Sequence, residues 1–441
     1  QRENPVSGLF DGLLAEIAEA TPVRRVGRVV ETRRGLVEVA GLDLAAIGDR
    51  VRIHSRDSTA GGEVLRLTPG RCSVLPDAPG DGMAIADRVE LLGRAEIAPQ
   101  DDWIGRIVDP TGQPLDGLPL LRGGRSRPLR ASAPAAASRR RMGERLSTSV
   151  AVFDTLLPLV RGQRIGLFAG SGVGKSSLLA RFARGVAADV VVIALVGERG
   201  RELREFTERV LGPEGMARSV VVTATSDQSA LMRRMCALTA MAVAEYFRDQ
   251  GKQVLLLVDS ITRFAEAHRE VALAGGEAAS LRGYPPSLSS AIMGLAERAG
   301  PGPDGAGDIT AVFSVLVAGS DMDEPVADIL RGVLDGHVVL DRRIAERGRF
   351  PAIDLLRSVS RSLPEAASAE ENALLSEARR LLGAYDRAEM MIQAGLYAQG
   401  SDPVIDRAIR LWPLLDAFLA EPAPANGIDG SFERLRACLA G

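Results

Sequence analysis

One stretch limits what this chain can fold into more than any other. An apolar run at 165–168 meets Ala169-Gly170-Ser171-Gly172-Val173-Gly174-Lys175-Ser176-Ser177, and a helical pattern through Leu178, Leu179 and Phe182 follows at once. Strand, glycine loop and helix, in that order, turn G-x-x-x-x-G-K-[ST] from a string match into a phosphate cradle. The glycines leave room for backbone N–H groups to close on phosphate oxygens, and the helix N-terminus adds the positive end of a dipole. Lys175 is placed to reach the terminal phosphates and Ser176 to offer a hydroxyl to Mg²⁺. Ala169 stands where the pattern has its first glycine; it falls at the strand end, ahead of the tight part of the loop, where a methyl group is tolerable. The competing reading is a chance match in a chain with 47 glycines, and the flanking strand and helix weigh against it.

Basic residues carry a related signal. Lysine and arginine together number 54, yet the only lysines are Lys175 and Lys252. A lysine kept in the loop of so arginine-rich a chain fits a need for a compact ammonium there, not a planar fork. A length of 441 residues implies two or three domains, and 46% hydrophobic with 25% charged residues describes a globular chain with a sizeable core. A net charge of −3 and 4% aromatic residues argue against nucleic acid or an anionic membrane as a direct partner. Cys72, Cys236 and Cys438 are odd in number and far apart, so neither a disulfide framework nor a metal site is expected, and a reducing cytoplasm fits. With no apolar run of membrane length and no signal-peptide pattern, any membrane role is expected to come through a partner.

Taken in order, residues 1–21 read as an amphipathic helix, with Val6, Leu9, Phe10, Leu13, Leu14 and Ile17 at helical spacing before Thr21-Pro22. It either packs on its own protein or docks another. Residues 22–97 hold six short strand patterns (26–30, 36–39, 50–53, 63–67, 72–75 and 88–92) with regular turn signals, as in a small β-barrel. A turn-rich connector, 98–138, opens the stretch to 364, where apolar strands alternate with helices. That pattern predicts a parallel sheet covered on both faces. After Pro364 only helical patterns remain, at 370–393, 403–419 and 431–439, so 365–441 is expected to be a helical domain. The fold class is α/β: a P-loop core behind a β-barrel and ahead of a helical end.

Hydrolysis needs more than a phosphate loop. The strand at 254–258 ends in Asp259, where a carboxylate can hold the Mg²⁺ shell, although an aspartate there could also simply cap a helix. The strand at 190–196 leads into Gly197-Glu198-Arg199, and a carboxylate at that end of the sheet could polarise water, or be a solvated charge. His54, His268 and His337 lie in unrelated contexts and do not read as ligands or bases.

Six blocks then occur in one order: FAGSGVGKS, ALVGERGREL, LLLVDSITRFAEA, GYPPSLSSAIMGLAERAG, DMDEPVADILRGVLDGHVVLDR and RGRFPAIDLLRSVSR. Together they resemble the hexameric rotary-ATPase family, and within it the flagellar and type III secretion export ATPases, over essentially the whole chain. The resemblance implies ATP and Mg²⁺ as ligands, with Gly170 to Ser177 around the phosphates. It gives Lys175 the phosphate contact, Ser176 and Asp259 the metal shell, the latter through water, and Glu198 the activation of water. Arg199 is implied as a phosphate contact and Arg263 as an aid to γ-phosphate placement. Arg361 is similar to the arginine finger lent to the neighbouring subunit. Phe350 is similar to the ring that lies against adenine, with Tyr397 as a second wall.

The same resemblance implies a cytoplasmic homo-hexamer peripheral to the inner-membrane export apparatus, touching the membrane only through the export gate. A stator-like regulator would hold the N-terminal helix, a coiled-coil stalk would fill the channel near 283–290, and export chaperones and their substrates would meet the helical end. Export of flagellar proteins is the leading expectation and injectisome export its near alternative. A synthase catalytic subunit fits less well: 370–419 has no strongly acidic run, and the loop is A-G-S-G-V-G-K-S. An RNA translocase is opposed by net charge, and a non-catalytic scaffold by the presence of every catalytic position.

Overall fold

The computed structural model describes residues 17, 23–33, 35–78, 80, 82–317 and 324–441. The expected N-terminal helix, apart from Ile17, lies outside the described residues. Six strands, β1 (Val26–Arg33), β2 (Leu36–Ala40), β3 (Asp49–His54), β4 (Thr59–Thr68), β5 (Arg71–Pro76) and β6 (Arg88–Arg94), close into a barrel in the order β1-β2-β5-β4-β3-β6. Alternation puts Val29, Val37, Val39, Val51, Ile53, Val64, Val74 and Val89 inside it, and closure removes the free edges that such short strands would expose.

The barrel is fastened to the rest of the chain by charge. Buried Glu63 of β4 takes one guanidinium nitrogen of buried Arg234 on both carboxylate oxygens, at 2.7 and 2.8 Å, and also pairs with Arg130. A ladder of β7 (Glu96–Ile97) and β9 (Arg127–Pro128) brackets β8 (Ile107–Val108). The core sheet adds β10 (Arg164–Ala169), β11 (Val190–Glu198), β12 (Ser219–Thr225), β13 (Val254–Asp259), β14 (Gly300–Pro301), β15 (Asp308–Leu316), β16 (Gly336–Leu340) and β17 (Ile353–Ser360). Its order is β17-β16-β10-β15-β13-β11-β12-β8, with β14 paired to β15. All neighbours from β16 to β8 run parallel, while β17 is antiparallel to β16 and β14 to β15.

Both faces are covered, as continuous apolar strands require. On one face lie α1 (Lys175–Gly185) and, after the sheet, α8 (Ala369–Gln393), α9 (Pro403–Phe418) and α10 (Gly427–Ala440), packing on Ile165, Leu167 and Ile193. The short α2 (Gly200–Glu205) follows β11, and α7 (Arg342–Glu346) lies between β16 and β17. On the other face lie α3 (Ala230–Asp249), α4 (Ile261–Ala274), α5 (Ser287–Arg298) and α6 (Pro325–Val333), over Phe168, Val192 and Val258.

Four local expectations are corrected. Between β11 and β12, where the alternation of strands and helices predicts one helix, α2 is followed by a π-helical turn, Phe206–Leu211. The last helix, expected at 431–439, starts earlier, as α10 already begins at Gly427. The connector supplies β8 to the sheet, a strand of two residues and so too short to show a period. The sheet also gains β17, whose Arg and Ser residues break the apolar pattern of its neighbours and leave it half-exposed at the edge.

Candidate active site

The parallel strands set the site's position, since all of them end on the side where the phosphate loop leaves β10. Gly172 (φ 77°) and Gly174 (φ 87°) take backbone conformations that side chains disfavour, and Gly174 caps α1, so Lys175 and Ser176 stand at the positive end of that helix. Asp259 ends β13, two strands from β10, and its carboxylate forms an ion pair with the Lys175 ammonium. The hydroxyl of Ser314 on β15, the strand between them, donates to the same carboxylate oxygen at 2.7 Å. Both partners of the ion pair are largely buried, so the ammonium is held on a carboxylate until a stronger anion competes for it.

Glu198 arrives by a bulge. Pairing between β11 and β12 slips between Val196 and Glu198, where Gly197 has φ 72°, and the extra residue re-aims the glutamate toward the loop. Ser176, Glu198, Glu202 and Asp259 line one cavity of about 250 Å³. Burial, then the negative charge of Asp259, push the Glu198 carboxyl up to about 7, with Glu202 adding to the rise and Lys175 opposing it. A carboxyl poised near neutrality suits a group that accepts a proton from water.

The other expected residues occupy different places. Arg263, in the first turn of α4, has its stem under Gly197 and donates to Glu266 at 2.9 Å. Arg199 precedes α2 and is mostly exposed, 3.7 Å from Glu202. Phe350 precedes β17 with its ring half-exposed beside the loop: a Cβ added to Gly174 would stand 3.0 Å from it. Its segment is tied down by Arg349, which donates to the Ile353 carbonyl at 2.8 Å and pairs with Asp416 of α9 at 3.0 Å. Tyr397 lies in the turn between α8 and α9, where its hydroxyl is 3.0 Å from an Asp406 carboxylate oxygen and 3.1 Å from the Asp402 carbonyl.

Arg361 lies at the opposite end of the sheet. Along β17, Ile353 is level with Leu340 and hence with Ala169, whereas Ser360 is level with Gly336, the start of β16. At roughly 3.3 Å per residue, that separates Arg361 from its own chain's loop by at least about 13 Å of strand. There the exposed guanidinium donates to the Arg331 carbonyl at 3.2 Å.

Lys175, Ser176, Glu198 and Asp259 therefore meet in one place, Phe350 borders it, and Arg361 does not reach it. Sequence reasoning overlooked Ser314 and Glu202. The first shows only as a hydroxyl inside an apolar strand, and the second as a carboxylate one helical turn beyond Glu198. Oxygen donors from Ser176 and Asp259, beside an ammonium and the N–H groups of a glycine loop, suit a hard cation with a polyphosphate.

Comparison with known proteins agrees with this chemistry. Residues 149–360 match the ATP synthase alpha/beta family, nucleotide-binding domain, and residues 367–434 match the T3SS EscN ATPase C-terminal domain. The flagellum-specific ATP synthase of Caulobacter vibrioides is 45% identical, over 96% of this chain and 98% of its own length. For the type 3 secretion system ATPase of Xanthomonas euvesicatoria the identity is 42%, over 92% of each. The assembled ATPase EscN from the enteropathogenic E. coli type III secretion system superposes with a TM-score of 0.86 at 36% identity, covering 94% of this chain and all (100%) of that one. EscN in complex with its central stalk EscO gives 0.85 at 37% identity, with the same coverage. The chain belongs to the ATP synthase alpha/beta family, among its flagellar and type III secretion export ATPases.

Proposed function

We propose that this ATPase works as a homo-hexamer in which each hydrolytic site is completed by the neighbouring subunit, and that its turnover serves export of flagellar proteins. The observation that carries the reading is the polarity of β17, which keeps Phe350 beside its own phosphate loop and carries Arg361 to the far end of the sheet. An arginine that cannot serve its own site is available to the next.

Loop N–H groups and Lys175 bind the terminal phosphates of ATP, Lys175 leaving Asp259 to do so. Ser176 and Asp259 would hold Mg²⁺, Asp259 through water, and when bound the ion supplies neutralisation of the phosphate charge. Glu198 holds the attacking water and takes its proton, while the Glu198–Asp259 side of the cavity excludes bulk solvent. Arg263 helps place the γ-phosphate from α4, and Arg199 reaches toward phosphate from the exposed rim. Adenine lies against Phe350, with Tyr397 as the second wall. Arg361 from the neighbour stabilises the charge on the transferred phosphoryl group, a contribution of roughly 10³–10⁵ in rate.

The chain would act in the cytoplasm at the inner-membrane export apparatus. No helix among the described residues is long and apolar enough to cross a membrane. Its partners would be a regulator at the N-terminal helix, a coiled-coil stalk in the ring's channel, and chaperones with their cargo at α8–α10. Turnover per subunit measured against protein concentration tests the shared site. It should rise steeply as rings form, and turnover that stays constant down to isolated subunits would refute the proposal. Co-purification of flagellar chaperones from the source cell is expected; injectisome chaperones or synthase subunits in their place would overturn the flagellar assignment.

A further inference from the structure

We propose that Gln163 is a positioning residue for hydrolysis in the neighbouring subunit's site, acting through Ser360 on Arg361. The inference rests on the shared-site reading above and names the residue that sets the lent arginine in place.

Gln163 is completely buried, and every polar atom of its side chain is engaged. Its carbonyl oxygen accepts the Val160 N–H at 3.0 Å. Its amide nitrogen donates to the Ser360 hydroxyl oxygen at 2.9 Å and lies 3.2 Å from the Asp335 carbonyl. The Ser360 hydroxyl in turn donates to the Pro158 carbonyl at 2.7 Å, so it is fixed from both sides. The Asp335 carbonyl also accepts the Arg361 N–H at 3.0 Å. One carboxamide thus holds the residue before Arg361 and the acceptor of Arg361's own backbone donor.

The surroundings stiffen this joint. Arg164, next to Gln163, grips the Asp335 carboxylate through its backbone N–H and Nε, both at 3.0 Å, and through Nη2 at 3.1 Å. The Arg361 guanidinium rests on the Arg331 carbonyl, in the last turn of α6, where helix carbonyls lack intrahelical partners and favour a cation. Gln163 and Arg164 are also the root of β10, whose other end is the phosphate loop. The strand that binds nucleotide in one site therefore anchors the arginine given to the next. A misplacement of about 1 Å in such a group can cost roughly 10²-fold in rate.

The test mixes subunits. Rings of Gln163→Leu or of Ser360→Ala should assemble and bind ATP as the unaltered protein does, while kcat falls roughly 10- to 100-fold. Mixed with Lys175→Ala subunits, which bind no nucleotide but carry an undisturbed Arg361, both should recover turnover, because their own loops are intact. Arg361→Ala mixed with Lys175→Ala is the reference and should recover likewise. Recovery in the reference without recovery for Gln163→Leu and Ser360→Ala would overturn the role of Gln163, since a defect confined to its own β10 cannot be cured by a neighbour. Absence of recovery in the reference would overturn the shared site, and this inference with it. Should Gln163→Leu fail to assemble, Ser360→Ala, a loss of one oxygen, decides the same question.

Discussion

As the proposed base, Glu198 would have to remain buried enough to exclude bulk water and yet lose a proton at working pH. Its surroundings set that balance: burial and Asp259 raise the carboxyl to about 7, and Glu202 adds to the rise. A base must be ionised to act, so kcat/KM for ATP should fall as pH drops below about 7. Glu202→Gln removes one cause of the rise, so the acid limb should move to lower pH; a limb that stays in place or moves up would show that Glu198 does not set it. Much of this chemistry was legible from residue order alone. Lys175 and Ser176 follow from loop spacing, whereas Asp259 and Glu198, at the ends of apolar strands, could equally have been a cap and a solvated charge until the family resemblance gave them roles. Ser314 and Glu202 were not legible, because nothing local distinguishes a strand hydroxyl that reaches Asp259 from one that is merely buried.

At the scale of elements, β17 does two jobs. Its entry holds Phe350 against the loop, and its exit presents Arg361. Pairing with β16 is irregular between His337 and Val339, and α8 supports the bulge, Arg379 donating to the Leu355 carbonyl at 3.1 Å. Ring stacking on a base contributes about 1–3 kcal/mol, so Phe350→Ala should raise the KM for ATP roughly tenfold while kcat changes little. A lost kcat with an unchanged KM would assign Phe350 to chemistry instead. This strand escaped the sequence reading because its alternation, buried and exposed by turns, is interrupted by the bulge and carries Arg357 and Ser358 where its neighbours are apolar. The barrel strands and the buried parallel strands were legible because period-two alternation and continuous apolar runs are the direct imprint of one wetted face or none.

Across the whole molecule, sheet polarity organises function. Strands β10, β11 and β13 bring the phosphate loop, Glu198 and Asp259 to one end of the sheet, and the antiparallel edge strand carries an arginine to the other. On the proposed reading, the subunit's own nucleotide site lacks one cation, which it carries as Arg361 at the far end of the sheet. The shared-site proposal would make assembly itself the switch for turnover, while the Glu63–Arg234 pair ties the barrel to α3. The most direct measurement is ATP hydrolysis by purified, assembled Arg361→Ala rings. Assembly and ATP binding should be retained while turnover falls by roughly 10³-fold or more; hydrolysis at the rate of the unaltered ring would contradict the shared site.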